Sequence, residues 1–332
     1  MKLSVAMCTY NGARYLRGQL ASIAAQTRLP DELVVCDDCS SDETRSILEE
    51  FKARAAFPVR LYFNERNLRV WKNFEQAIRL CEGDIIALCD QDDVWLPEKL
   101  ERMEEAFVAT PDAGLVFCDL EVVDDNLQPL GYRAWHALEF GERGQAMFRQ
   151  GKAFNTLTTR NVVTGAAMAF RAEYRDLVLP VPEVSQWLLH DYWFALTIST
   201  VAKLVPIKTP LVKYRAHPNQ HNGLGPPRST GDPWVDAQNR MRDYPVQNQY
   251  LELILERLSK FRSNPQYDKA CVKLENRIKH GQIRASWVNQ RYLRRAWSVI
   301  RELLTRRYYD SVHPDSNGWR DALNNLTPYK LK

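Results

Sequence analysis

Three carboxylates, Asp90, Asp92 and Asp93, fall within four residues in the stretch ALCDQDDVW, directly after the apolar run 85–88. A second acidic pair, Asp37-Asp38, follows the apolar ELVVC, and Thr9-Tyr10-Asn11 follows LSVAMC. Crowded carboxylates repel one another and raise each other's pKa unless a cation or a set of donors offsets them. A divalent cation bridging phosphate oxygens would do so, and all-oxygen ligands suit magnesium or manganese. A single Asp after a strand more often caps a helix or makes a turn. Two acidic sets in equivalent places argue instead for a ligand.

Those places are set by the elements around them. Leu3 to Met7, Glu32 to Cys36, Val59 to Phe63, Asp84 to Leu88 and Leu115 to Cys118 read as short apolar strands. Helical patterns separate them: Ala13 to Gln26, Asp42 to Arg54 with Ser41 as its cap, Val70 to Leu80, and Pro97 to Val108. Strands alternating with amphipathic helices predict an α/β fold, a Rossmann-like, mostly parallel sheet flanked by helices. In such sheets ligands bind outside the carboxyl ends of the strands. All three polar sets then face one rim. Neither a Walker loop nor GxGxxG follows the first strand, so P-loop and dinucleotide chemistry are disfavoured.

The 332 residues, 45% hydrophobic, suffice for one large or two modest cores. The net charge of +4 hides an asymmetry: residues 231–332 hold 19 Lys and Arg against 11 Asp and Glu, leaving the preceding residues acidic. Most of the seven cysteines lie in apolar runs, which predicts buried, reduced thiols. Cys36 and Cys39 have CxxC spacing, but no second pair or His follows at a zinc-like distance. The N-terminus reads as a strand and not a signal peptide, and no run of 18 apolar residues exists, so a cytoplasmic protein without a spanning helix is expected.

The stretches SVAMCTYNGARYLRGQLASIAAQT, DELVVCDDCSSDET and NERNLRVWKNFEQAIRLCEGDIIALCDQDDVWLPEKL together resemble family 2 glycosyltransferases of the GT-A fold, over roughly residues 2–225. The CDQDDVWLPEKL version is similar to bacterial rhamnosyltransferases of surface-polysaccharide synthesis. The resemblance implies that Cys8, Thr9 and Tyr10 hold the nucleotide base and that Asp38 accepts from its N3–H, a donor common to uracil and thymine. It implies that Asn67 and Lys72 reach toward base and diphosphate. Asp90-Gln91-Asp92 is the DxD motif, with Asp90 on the ribose, Asp92 on the metal and Asp93 in support.

The same resemblance assigns the general base to an acidic residue at the start of a later helix, here Asp191 in WLLHDYWFAL, with His190 a weaker substrate contact. A carboxylate in reach of the acceptor hydroxyl can take its proton. Without the resemblance Asp191 reads as a helix N-cap. Thr164-Gly165, within the strand expected over 161–170, falls on the acceptor and donor-sugar side, where glycine admits a close approach or simply marks a bulge. LVKYRAHPNQHN resembles the closing loop: His217 completes the metal's coordination and Arg215 pairs with phosphate, whereas His221 has no counterpart. The Gly- and Pro-rich residues 223–233 read as a loop or linker.

The domain expectation is therefore a catalytic domain over 1–225 and a basic helical region over 226–332. Helices are expected near 235–262, 266–282, 284–308 and 318–327. In the third, Val288, Tyr292, Ala296, Val299 and Leu303 form one stripe, with Arg291, Arg294, Arg295, Arg301, Arg306 and Arg307 largely elsewhere. Such a helix packs on a domain with a solvated arginine face, or lies against anionic lipid. No nucleic-acid-binding fold accompanies the charge.

The leading function is a metal-dependent, inverting glycosyltransferase taking dTDP-rhamnose to a polysaccharide or lipid-linked oligosaccharide. Its rivals are a UDP-hexose or UDP-N-acetylhexosamine transferase, a non-catalytic nucleotide-sugar or glycan-binding module, and a nucleotidyltransferase. The last would want a basic, glycine-rich loop where Thr9-Tyr10-Asn11-Gly12 stands.

Overall fold

The computed structural model describes residues 1–158, 160–183, 190–217, 248–286 and 292–304. The chain divides into two compact units: 1–141 with 162–227, and 142–161 with 228–332. This differs from the expected division at 225/226 chiefly because residues 142–161 group with the basic tail. His221, the 223–233 stretch, Val288, Arg291, Arg306, Arg307 and the helix expected over 318–327 lie outside the described residues.

The first unit is a mixed α/β layer structure. Its described strands are β1 (Leu3–Thr9), β2 (Glu32–Asp37), β3 (Val59–Phe63), β4 (Ile85–Cys89), β5 (Val94–Trp95), β6 (Ala113–Val123), β7 (Pro129–Arg133), β8 (Met168–Arg171) and β9 (Lys203–Arg215). They form one sheet in the order β3-β2-β1-β4-β8-β6-β9-β5, with β7 beside β6. β1, β2, β3 and β4 are parallel, β8 runs against β4 and β6, and β9 runs parallel to β6. β2 and β4 are buried along their whole length. That is why they read as continuous apolar runs and not as alternation.

The helices cover this sheet. In α1 (Ala13–Ala24), Leu16, Leu20 and Ile23 recur at helical spacing and join Leu3, Val5 and Met7 in the core. Each such side chain contributes about 1.5–3 kcal/mol of burial. α2 (Thr44–Lys52), α3 (Val70–Leu80) and α4 (Lys99–Ala109) follow. Ser41 does not cap α2. Asp42 does that work: its carboxylate accepts from the Thr44 N–H at 3.0 Å and from the Ala13 N–H at 3.0 Å, serving the first turns of α2 and α1 together. The expected strand over 161–170 is shorter: a 3-10 turn at Gly165–Ala167 precedes β8. α5 (His190–Ile198) is buried nearly all round.

The second unit is helical where described. It contains Glu142–Arg149, Ala153–Leu157, helical residues 248–259, α6 (Pro265–Ser286) and α7 (Tyr292–Leu304). Two contacts tie residues 142–161 to α6: Lys273 lies over the Phe154 ring at 5.0 Å, and Arg277 donates to the Thr158 hydroxyl at 3.1 Å. A buried pair, His280 Nδ1 and Glu302 Oε2 at 2.7 Å, joins α6 to α7. Among the described residues no helix is long and apolar enough to cross a membrane.

Candidate active site

The parallel register brings the polar sets to one edge: Thr9 lies opposite Asp37, and Met7 opposite Cys89, the residue before Asp90. Asp37 is consumed by its own turn, accepting from the Thr9 hydroxyl at 2.7 Å and from the Ser40 N–H at 2.9 Å. Asp38 is buried and shapes the loop after β3. Its Oδ1 accepts from the Leu68 N–H at 2.7 Å and the Asn64 amide at 2.9 Å, and its Oδ2 from the Arg69 N–H at 2.9 Å. Those bonds hold Arg69 at φ +69°, a conformation rarely adopted by a non-glycine residue. Asn67 donates to the Asp38 carbonyl at 3.2 Å. Lys72 stands 3.4 Å from both Glu75 and Glu183. The Cys8 thiol is pushed well above its usual pKa, first by burial and then by nearby charges including Asp90 and Asp38.

Gln91, the middle residue of the DxD motif, is spent on architecture. Its Oε1 accepts from the Tyr10 N–H at 2.8 Å and its Nε2 donates to the Tyr10 carbonyl at 3.0 Å. The loop after β1 is thereby fastened to the loop after β4, while the Tyr10 side chain stays half exposed. Gly12 makes room for this: a Cβ there would lie 2.1 Å from Gln91 Oε1.

The acidic loop is closed from the other side by β9. β5 pairs with it through Val94–Lys213 and Trp95–Val212. Two residues of separation then place Arg215 and His217 over the carboxylates. The Arg215 N–H donates to Asp93 Oδ1 at 3.0 Å, its Nε to the Asp92 carbonyl at 2.8 Å, and its Nη1 to the Asp125 carbonyl. The guanidinium also lies 4.6 Å from the centre of the Tyr15 ring. Arg215 is thus a clamp on the acidic loop.

His217 Nε2 lies 3.0 Å from Asp92 Oδ2. The imidazole packs on Tyr15 at 5.0 Å, and the Tyr15 hydroxyl donates to Asp125 at 2.6 Å. Among the described residues no group of three or more His, Cys, Asp and Glu is arranged to hold a metal. The two donors do fit one that takes its remaining ligands from elsewhere. Ligands about 2.1 Å from an octahedral ion stand about 3 Å apart when adjacent, and carboxylate with imidazole suits manganese or magnesium. Asp90 also lacks a partner: no donor among the described residues reaches its carboxylate. Its pKa is raised to about 7, by burial first and then by the charges of Asp92 and Asp191.

Asp191 opens α5 but does not cap it in the usual way. Its Oδ2 accepts from the Gly165 N–H at 3.0 Å and its Oδ1 from its neighbour Tyr192 at 2.5 Å. Burial raises its pKa to about 6, with those N–H groups pulling the other way. His190 stacks on Phe74 at 4.4 Å and meets Phe194 edge-on at 5.9 Å. A Cβ on Gly165 would come within 3.2 Å of His190 Nε2. The glycine thus lies where α5 approaches closely, and Thr164 precedes it as the extended residue before the turn.

The motifs and this rim agree with a match over residues 4–177, more than half the chain, to the model of Glycosyl transferase family 2. The chain belongs to that family. As a glycosyltransferase it is similar over most of its length to an uncharacterized glycosyltransferase of Nostoc, 26% identical over 93% of this chain and 90% of the relative. A shorter likeness, 30% identical over 37% of this chain and 47% of the relative, is to the Escherichia coli UDP-Glc:alpha-D-GlcNAc-diphosphoundecaprenol beta-1,3-glucosyltransferase WfgD. The crystal structure of Staphylococcus aureus TarS residues 1–349 with UDP-GlcNAc has a TM-score of 0.54 at 17% identity, covering 94% of this chain and 90% of that one. The complex with UDP gives 0.53 at 18% identity, over 98% of this chain and 90% of that one. At such identities the likeness speaks for the GT-A fold.

In this glycosyltransferase one further residue beside the site is hidden in the sequence. Lys99 is fully buried, donates from Nζ to the Ala166 carbonyl at 2.7 Å, and lies 3.4 Å from the centre of the Trp95 ring. The signal available was a lysine on the apolar side of a helix, in phase with Leu100, Met103 and Phe107. A pattern reading assigns such a residue to solvent.

Proposed function

We propose that this enzyme is a metal-dependent, inverting transferase. It would move a sugar from a pyrimidine nucleoside diphosphate to a hydroxyl of a growing polysaccharide or lipid-linked oligosaccharide. The observation that carries the reading is the meeting of Asp92 and His217 at 3.0 Å on a rim that also holds Asp191. A divalent cation there would supply Lewis-acid charge to the diphosphate as it leaves. Asp90 offers its unpartnered carboxylate to a ribose hydroxyl. Asp191, with a pKa near 6 and burial as its cause, is ionised at neutral pH and basic enough to accept a proton. The acceptor oxygen bonds to the anomeric carbon, the electrons of the old C–O bond leave with the diphosphate, and the hydroxyl proton passes to Asp191. One displacement inverts the anomeric centre.

For the donor, the CDQDDVWLPEKL motif favours dTDP-rhamnose. The name of the E. coli relative favours the second reading, a UDP-hexose and a polyprenol-linked acceptor. A thermal-shift panel of nucleotide sugars with manganese separates them. The first reading predicts the largest shift for dTDP-rhamnose; a larger shift for UDP-glucose or UDP-GlcNAc overturns it in favour of the second.

A lipid-borne acceptor also gives the tail a role. On α7, Trp297, Ile300 and Leu304 are exposed beside exposed Arg294 and Arg301, a composition suited to an anionic bilayer surface. Co-sedimentation with phosphatidylglycerol vesicles but not phosphatidylcholine vesicles is the expected result, and equal recovery with both contradicts it.

A further inference from the structure

Lys99 has no place in the chemistry described so far, yet its position is constrained on every side. It is the first residue of α4 and lies wholly inside the fold. A buried ammonium is costly unless it is paired and hydrogen-bonded. Here one N–H is taken by the Ala166 carbonyl at 2.7 Å, and the face of Trp95 receives the cation at 3.4 Å. The groups facing it are the thiols of Cys118 on β6 and Cys89 on β4, and the carboxylates of Asp93 and Asp90 on the loop leading to α4. Burial, the larger influence, lowers its pKa to about 8 and those neighbours raise it, so the group is largely cationic at neutral pH.

The Ala166 carbonyl belongs to the short turn Gly165–Ala167, closed by the Ala167 N–H on the Thr164 carbonyl at 3.0 Å. The same turn presents the Gly165 N–H to Asp191 Oδ2 at 3.0 Å. On its other side the turn faces α5, where a Cβ on Gly165 would stand 3.2 Å from His190 Nε2. The atom Lys99 holds and the atom that holds the candidate base thus sit on adjacent residues.

We propose that Lys99 is a positioning residue of the transfer site: by gripping the Ala166 carbonyl it fixes the 165–167 turn, and through the Gly165 N–H it sets where the Asp191 carboxylate stands. This rests on Asp191 as the base for its catalytic meaning, but not for its test. A lysine that served the core alone would affect stability and leave Asp191 as it is.

The test is the titration of Asp191 by carbon-13 NMR of carboxyl-labelled full-length protein, its resonance assigned by its loss in Asp191→Asn. In Lys99→Met the grip is gone, the Gly165 N–H is no longer held on the carboxylate, and the midpoint should rise by about 0.5 or more. UDP affinity in manganese, measured by calorimetry, should stay within about threefold of wild type. Should Lys99→Met fail to fold, Lys99→Gln, one bond too short to reach Ala166, carries the same test. A folded variant whose Asp191 titrates as in the wild type overturns the proposal, and so does an effect confined to UDP affinity. Neither readout requires sugar transfer, so failure here is distinct from failure of the proposed function.

Discussion

Asp92 and His217 are separated by 125 positions in the chain and by 3.0 Å in the fold, carboxylate oxygen to imidazole nitrogen. Three separate devices produce that contact. β5 pairs with β9, the Arg215 backbone and guanidinium grip the acidic loop, and Tyr15 supports the imidazole. A site assembled from the end of a parallel strand and the end of a distant closing strand needs such fastening, because neither loop positions the other by itself.

Asp191 should separate binding from turnover. Asp191→Asn is expected to leave nucleotide affinity unchanged and to lower kcat by about 10²–10⁴. In the wild type kcat should fall as pH drops through about 6, where the buried carboxylate takes up its proton. Steady-state kinetics across pH 5 to 8 check both (roughly, the window set by that pKa). An acid limb that survives in the variant would place the base elsewhere.

The same carboxylates predict an unusual stability profile. Asp191 and Asp90 titrate higher in the fold, near 6 and 7, than in an unfolded chain. The folded protein therefore keeps protons that the unfolded chain has released. Their contribution to stability is full at low pH and is lost as pH rises through 6 to 7. Without nucleotide, the melting temperature should be higher near pH 5.5 than near pH 7.5. Asp90→Asn should raise Tm at about pH 7.5, by roughly 2–4 °C for each kcal/mol gained, should raise it less near pH 5, where only the unfolded chain's carboxylate is ionised, and should do little below about pH 4, where both states are protonated. An equal gain across that range contradicts this account of the acidic loop.

Gly12 and Gln91 form a coupled pair. Gly12→Ala puts a methyl group 2.1 Å from Gln91 Oε1 and must push the amide off the Tyr10 backbone. Losing those two hydrogen bonds should cost about 1–3 kcal/mol. In Gln91→Ala the bonds are already gone and the space is free, so the double variant should be no worse than Gln91→Ala alone. Denaturant melts of the four proteins check this, and strict additivity would break the proposed link between the two loops.

Much of the scaffold was legible. β1, β2 and β4 announce themselves as apolar runs because both of their faces are covered, and α1 shows its buried face at helical spacing. β9 does not read as a strand, because Pro206 and Pro210 interrupt it; the structure accommodates Pro210 where the β6–β9 register shifts around Cys118 and Asp119. Side-chain duties were harder still. Arg215 reads as a phosphate ligand and Gln91 as a nucleotide contact, and the structure adds a loop-holding duty for each. That duty depends on partners far away in sequence, which local pattern cannot reveal. Lys99 was missed for the opposite reason, since nothing in a lysine's own chemistry suggests burial. The candidate metal ligands were reached through family resemblance and not through spacing.

The most direct test of the central claim is calorimetric titration of UDP and dTDP into the wild type, Asp92→Ala and His217→Ala, with manganese and with chelator. The wild type should bind a nucleoside diphosphate more tightly with manganese. Asp92→Ala should lose the manganese-dependent part. His217→Ala should weaken it at least as much as loss of an outer-shell partner of a metal ligand does, about 10–100-fold. Unchanged manganese-dependent affinity in Asp92→Ala would contradict the assignment of Asp92 and His217 as the place where cation and diphosphate are held.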